Sequence, residues 1–273
     1  MAGMTVAKYL RLWGGSGLSV TLVEPESTYL SNIMSNLVLN GSRTLASLQF
    51  SRDALSTRYG VTRVTGSVTA IDPGARNVTV ADKSVLAYDR LVLAPGVSFD
   101  DAYGLTQADY DTRTPHAWRA GAQTTLLRTQ LAAMRNGDTF VMTIPKAPYR
   151  CPPGPYERAC VVADYLKRVK GGGKVIILDA NPGIQAEVQN FTKAFTVTHK
   201  GVITYVPNAV ITGIDADTMT VNTANAGTFK GRVINAIPTH KAGSLITGSG
   251  IGLANAPGAN GAPNKFAGVD VLT

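Results

Sequence analysis

Twice along this chain, a helical stretch runs into a short β-branched strand that ends on an acidic residue. Residues 4–13 (MTVAKYLRLW) carry helical periodicity and lead to the apolar strand Leu18–Val23, closed by Glu24 and Pro25. The second unit is fuller. The strand Phe140–Ile144 precedes a helix over Tyr156–Val169, and the strand Val175–Leu178 follows, closed by Asp179. Parallel neighbours need a crossover connection, so this alternation commits the chain to an α/β fold with tandem doubly wound, Rossmann-like units.

The intervening sequence fills in the rest. A short helix is predicted over 51–58, then strands at Val61–Val64, Val68–Ile71 and Asn77–Val80, the last two joined by the turn DPGAR. Leu91–Ala94 reads as a short strand ending at Pro95-Gly96. Residues 116–135 read as a helix stopped by Asn136-Gly137. Beyond residue 202 the chain turns β-rich, with strands at Ile203–Val206, Val210–Ile214, Met219–Asn222 and Val233–Ile237. The tail 248–265, rich in Gly, Ala, Asn and Pro, reads as loop.

Composition excludes several classes. Hydrophobic residues make up 44% of the 273, too many for a disordered chain, and two cysteines are too few for a disulfide scaffold. No apolar run approaches the ~20 residues that span a bilayer, so no transmembrane segment is expected. The opening residues lack the apolar core of a secretory signal. A net charge of +8 permits an acidic partner, but the basic residues are scattered without interleaved aromatics, which argues against nucleic acid.

The chemistry is concentrated in two stretches. In a dinucleotide fold, glycines let the backbone approach a pyrophosphate at a helix N-terminus, and an acid about 20 residues on holds a ribose. Here the helix, the following strand and Glu24 are present, and Glu24 lies 21 residues after Gly3, which would be the last glycine of that fingerprint. The first strand and the other glycines are absent, so an ordinary helix–strand unit with a surface glutamate is an alternative. In the second unit the turn after Phe140–Ile144 is PKAPYRCPPGPYER, rich in proline with one glycine. Proline removes backbone N–H donors, so this unit is expected to keep the fold without a nucleotide.

That same turn sets Cys151 beside Arg150 and before a helix N-terminus, both of which favour the reactive thiolate; a buried, inert cysteine is the alternative. Cys160 falls on the apolar side of the helix and reads as core. A disulfide between the two is open, because their spacing does not fix the separation it needs. His116, His199 and His240 are far apart in sequence, with no acid or cysteine at ligand spacing, so no metal site is expected; His116 reads as a cap for the helix that follows it.

Several stretches together resemble one family. VTLVEPESTYLSNIMSNLVLNG, YDRLVLAPGV, PHAWRAGAQT, YRCPPGPYERA and GKVIILD are similar to the flavoprotein subunit of flavocytochrome c sulfide dehydrogenase. That subunit is a relative of sulfide:quinone oxidoreductase among the flavoproteins with two dinucleotide-binding domains. The resemblance runs from Gly3 to about Asp270 and implies an incomplete pair of domains of the FAD/NAD-linked reductase type. Residues 1–115 and 233–273 would form a discontinuous FAD-binding domain, and 116–232 a second Rossmann-like domain without a nucleotide cradle. The chain is expected to be truncated at both ends, lacking a first strand and a C-terminal flavin turn.

The resemblance also implies roles. FAD would meet Gly3 at its pyrophosphate, Glu24 and Pro25 at its adenosine ribose, and the backbone of Val68 at its adenine. Ala94, Pro95 and Gly96 match a flavin-side turn, and Asn32, Ser35 and Asn36 fall in the segment that runs toward the isoalloxazine. Asn32 stands where members with covalent flavin have a cysteine, so FAD would be held noncovalently. Cys151 matches the redox cysteine attacked by sulfide, but Ala267 stands where its disulfide partner is expected. Electrons would pass to a cytochrome c subunit or, as in the relatives, a quinone, and the location would be periplasmic. A non-catalytic remnant of the fold, or a related flavoprotein acting on another small donor, are the alternative readings.

Overall fold

The computed structural model describes residues 1–248 and 265–266, and their contacts divide them between two compact units. The first unit comprises 1–31, 49–98 and 241 onward; the second comprises 32–48 and 99–240.

The first unit opens with the helix Ala2–Gly14, whose Ala7 packs with Leu55 and Val61 in a small core that Met4, Val20, Leu22 and Tyr59 flank. The strand Thr21–Glu24 pairs in parallel with Thr62–Thr65, and the helix Asp53–Tyr59 precedes the latter. Thr28–Leu30 pairs antiparallel with Gln49–Ser51. A three-stranded antiparallel sheet follows, formed by Val68–Asp72, Asn77–Val80 and Val85–Ala87. The turn predicted from DPGAR is closed by the Asp72 carboxylate, which accepts the Ala75 N–H at 2.8 Å.

One expected element is missing. Leu91–Ala94 is not a strand, and Val92 is 55% exposed. A strand exists only as part of a ladder, and among the described residues nothing pairs with this segment.

The second unit holds a four-stranded parallel sheet in the order Ile203–Val206, Lys174–Asp179, Thr139–Ile144, Val233–Ala236. Side chains alternate across its faces. Phe140, Met142 and Ile144 join Leu127, Leu131, Tyr156, Val162 and Leu166 in one core, while Val141 joins Leu178, Ile214, Val221 and Ile234 in another. Both faces are covered, which is why these strands read as unbroken apolar runs. The helices Ala122–Ala133 and Gly154–Val169 supply the first layer. The antiparallel strands Ile211–Asp215, Thr220–Thr223 and Thr228–Lys230 supply part of the second.

The contacts group 32–48, 99–115 and 233–240 with the second unit, where Val233–Ala236 is hydrogen-bonded to Thr139–Ile144. The helix expected from residue 116 starts only at Ala122, since residues 116–118 are buried in the unit's interior. His116 therefore does not cap it; its Nδ1 accepts the Trp118 N–H at 3.0 Å. The break after Gly154–Val169 needs its glycines: Gly173 has φ +152, and a Cβ there would lie 2.9 Å from the Asp138 carbonyl oxygen. Most of the loop expected at 248–265 falls outside the described residues. No helix among the described residues is long and apolar enough to cross a membrane.

Candidate functional site

In the first unit the expected residues fall into three groups. Gly3 sits in the first turn of Ala2–Gly14, and a Cβ there would stand 3.3 Å from the Ala94 Cβ, so these two positions are adjacent. Glu24 ends its strand beside Arg52, with 3.6 Å between carboxylate and guanidinium, and its other oxygen accepts the Glu26 N–H at 3.4 Å. Arg52 is almost wholly buried, and its Nε has no hydrogen-bond partner among the described residues. The amino group of Met1 is held below its ordinary value by burial, with Glu24 acting in the opposite sense, so Glu24 also stands near the start of the helix. Val68 begins its strand and, with Ile71, Ser244 and Leu245, lines a cavity of about 430 Å³. Pro95 leads into Gly96, which has φ +79 with open space around it, so the backbone, not packing, selects glycine there.

These residues suit a dinucleotide. The helix Ala2–Gly14 has no side-chain cap and no acid in its first turn, which leaves its leading N–H groups and positive dipole end for an anion. The partly exposed Glu24 carboxylate lies at the C-terminal end of the adjoining parallel strand, where such folds bind ligands.

In the second unit Asn32, Ser35 and Asn36 are structural partners. The Asn32 side-chain oxygen Oδ1 accepts the Ala120 N–H at 2.7 Å. Ser35 is buried at the start of a short helix, Asn36–Leu39. The Asn36 amide donates to the Gly154 carbonyl at 3.2 Å and the Glu157 carboxylate at 3.0 Å, while its oxygen accepts Arg158 Nε at 2.9 Å.

Arg158, which the sequence reading did not single out, organises this region. Only 3% exposed, it donates to the backbone carbonyls of His116 and Ala117 and to the side-chain oxygens of Asn36 and Asn235. Its guanidinium lies 4.6 Å from the centre of the Trp118 ring. None of these acceptors is a carboxylate, and burial pulls Arg158 down to about 9. Negative charge on Glu157 and Cys151 acts the other way. A polar residue inside the fully buried strand Val233–Ala236 was the one sequence signal for Asn235.

Cys151 stands at the end of the turn that follows Thr139–Ile144, exposed, just before the helix Gly154–Val169. Its φ is +63, a left-handed conformation costly for a residue with a Cβ. Trp118 Nε1 donates to the Arg150 carbonyl at 2.9 Å, and the Arg150 guanidinium donates back to the Trp118 carbonyl. A Cβ on Gly154 would lie 3.0 Å from both the Cys151 sulfur and the Trp118 ring, so glycine lets both pack against the first turn. Cys160 is half-buried against the core, and burial pushes its thiol up to about 11, which makes it a poor nucleophile at neutral pH.

The acid that closes the second unit's strand is already occupied. Asp179 is fully buried; one oxygen accepts the backbone and side-chain N–H groups of Asn181 at 2.9 and 2.7 Å. The other accepts the hydroxyls of Tyr156 and Tyr205 at 2.7 and 2.8 Å. Four donors fill the carboxylate's acceptor sites, leaving none for a ribose. A pyridine nucleotide does not fit this unit.

Residues 1–131 match the family model of pyridine nucleotide-disulphide oxidoreductases, and residues 124–238 match that of the central part of the sulfide dehydrogenase (flavocytochrome c) flavoprotein chain. Among solved structures, the sulfide:quinone oxidoreductase of Aquifex aeolicus is similar at 17% identity and a TM-score of 0.74, over 94% of this chain and 60% of that one. A ferredoxin reductase of Rhodopseudomonas palustris is similar at 15% identity and a TM-score of 0.65, over 92% of this chain and 60% of that one. A NAD-dependent persulfide reductase of A. fulgidus is similar at 14% identity and 0.65, over 91% and 46%. The chain thus spans about 60% of the length of the first of these. The chain thus shares its Rossmann-type α/β fold with these FAD/NAD-linked reductases.

Proposed function

We propose that this chain carries the flavin- and sulfur-handling part of a sulfide dehydrogenase. FAD would be held noncovalently in the first unit by the N-terminus of Ala2–Gly14 around Gly3 and by Glu24, with Pro25, Val68, Ala94, Pro95 and Gly96 contributing backbone. A bound flavin supplies a two-electron acceptor that can be reoxidised one electron at a time by a cytochrome c subunit or a quinone. The observation that carries the reading is Cys151: an exposed thiol in a strained conformation, locked between Trp118 and the start of a helix.

Cys151 would take up the substrate sulfur. Bond formation between its thiol and hydrosulfide gives a persulfide anion, two protons and two electrons, the electrons leaving to the acceptor. Negative charge on Cys151 favours the buried Arg158 cation. Ala267, the position where a disulfide partner was expected, lies outside the described residues. A periplasmic location rests on the resemblance alone.

The test is spectroscopic. The purified protein is expected to show flavin absorbance that sulfide bleaches anaerobically, and Cys151→Ser is expected to abolish the bleaching while keeping the colour. Unchanged bleaching in Cys151→Ser would remove Cys151 from the mechanism; a folded, colourless protein that takes up no FAD would favour a remnant. Glu24→Ala is expected to weaken FAD binding by about 1–3 kcal/mol, the scale of hydrogen bonds to a charged group. An unchanged affinity on titration would exclude Glu24 from the site.

A further inference from the structure

His240 lies 89 residues beyond Cys151 in sequence, yet it closes the same turn. It is 3% exposed, and its Nδ1 accepts the Arg150 N–H at 2.8 Å. Its ring stands edge-on to Phe99 and to Tyr149, with centroids 5.0 and 6.2 Å away, and tilted against Trp118 at 6.4 Å. A nitrogen that accepts carries no proton, so in the neutral ring the hydrogen is on Nε2, which is buried without a partner among the described residues. The cost of that orphan donor is tolerated where the other nitrogen's hydrogen bond matters.

What that bond holds is the residue before a left-handed cysteine. At φ +63 Cys151 has no intrinsic reason to stay where it is, and such strain persists only when its surroundings fix it. On one side the Cys151 carbonyl accepts the Gly154 N–H at 2.9 Å. On the other, the Arg150 carbonyl is held by Trp118 and its N–H by His240. Cutting the His240 bond frees the Tyr149–Arg150 peptide and leaves Arg150 held only through its carbonyl and side chain at Trp118, so the turn can relax toward negative φ.

We propose that His240 is a positioning residue for Cys151, acting through the Arg150 amide to hold the thiol in its strained, exposed conformation. This rests on Cys151 as the reacting group of the proposed function, but its test needs no flavin and no sulfide.

Asparagine places an acceptor oxygen where histidine has Nδ1, and glutamine places one nearer Nε2. His240→Asn should therefore keep the turn and His240→Gln should not, although both remove the ring. In a Cys160→Ser background at neutral pH, Cys151 of H240N is expected to react with iodoacetamide within twofold of the protein that keeps His240. That of H240Q is expected to react at least tenfold more slowly. A double-mutant cycle gives the second readout, because glycine adopts φ +63 without cost. Cys151→Gly should raise Tm by about 2–4 °C in the protein that keeps His240 and in H240N, and by less than ~1 °C in H240Q, where the strain is already released. Equal alkylation rates in H240N and H240Q, or an equal Tm gain from Cys151→Gly in every background, would overturn the proposal. A sulfide-inactive protein that still shows this split between the two variants would overturn the proposed function and leave the role of His240 standing.

Discussion

At the scale of single residues, Arg158 is the most exacting group in the second unit. Its hydrogen bonds join Asn36, His116, Ala117 and Asn235, which come from three separate stretches of chain. Arg158→Leu would leave those oxygens without their donor in a dry interior, so a loss of at least ~3 kcal/mol is expected in urea unfolding. A loss below ~1 kcal/mol would mean that water replaces the guanidinium. Acid should act on the same neighbourhood. Burial, with Arg158 next, lowers His116 to about 3, and burial, with Arg150 next, lowers His240 to about 4. His116 also faces Arg119, His240 and Asp111, of which only Asp111 favours its charged form. Both rings are neutral in the folded state and charge on unfolding near pH 6.5, so the unfolded chain binds more protons below that value. Stability from this pair is fully present above pH 6.5 and is lost progressively as pH falls through about 4 and 3, at up to ~1.4 kcal/mol per pH unit for each ring. Replacing both with Gln should flatten that slope in unfolding measured from about pH 4 to 7. At this scale the sequence was partly legible: Cys151 is exposed just before a helix and Glu24 ends a strand, as their positions predicted. Arg158 and His240 were not legible, because nothing local marks a side chain whose hydrogen-bond partners lie 41 to 122 residues away.

At the scale of elements, local signals worked where an element or its pairing strand lies among the described residues and failed where none pairs. Asn77–Val80 and Ile203–Val206 match their apolar patterns end for end, and the Gly-rich stop after residue 169 has the positive φ values that glycine allows. The segment Leu91–Ala94 has a strand's sequence and no strand's structure, since its hydrogen bonds would have to come from elsewhere in the chain. The helix Gln107–Thr112 shows the reverse. Its six residues carry no long apolar period, yet a reciprocal cap starts it. Thr106 Oγ1 accepts the Asp109 N–H at 3.3 Å, and the Asp109 carboxylate accepts the Thr106 N–H at 2.8 Å. Thr106→Ala is expected to cost about 1 kcal/mol, and Thr106→Ser close to nothing, in thermal unfolding. Equal losses for the two would show that the Thr106 methyl, not its hydroxyl, supports the helix.

At the scale of the whole molecule, a helix leading into a parallel strand that ends on an acid occurs twice with opposite chemical endings. In the first unit the helix start is uncapped and the strand-ending Glu24 stays partly exposed; in the second the equivalent acid is consumed. The anion cradle is consumed too. Residues 145, 148, 152, 153 and 155 are prolines without N–H donors. Of the remaining donors, Ala147 N–H is spent on Asn181, Arg150 N–H on His240, and Gly154 N–H on the Cys151 carbonyl. A nucleotide entering here would lose its ribose contact to Tyr156 and Tyr205, and its phosphates would find a turn in which five positions lack N–H donors and three more donate elsewhere. The protein is therefore expected to show no saturable heat on titration with NADH up to about 1 mM, a Kd of that size corresponding to about −4 kcal/mol. Its flavin absorbance should likewise stay oxidised when NADH is added without oxygen, under conditions where sulfide bleaches it. Because the two ligands are directed to different units, the result separates them: bleaching by NADH as fast as by sulfide would show that the closed carboxylate opens, and Tyr205→Phe, which removes one of its four donors, should then accelerate it.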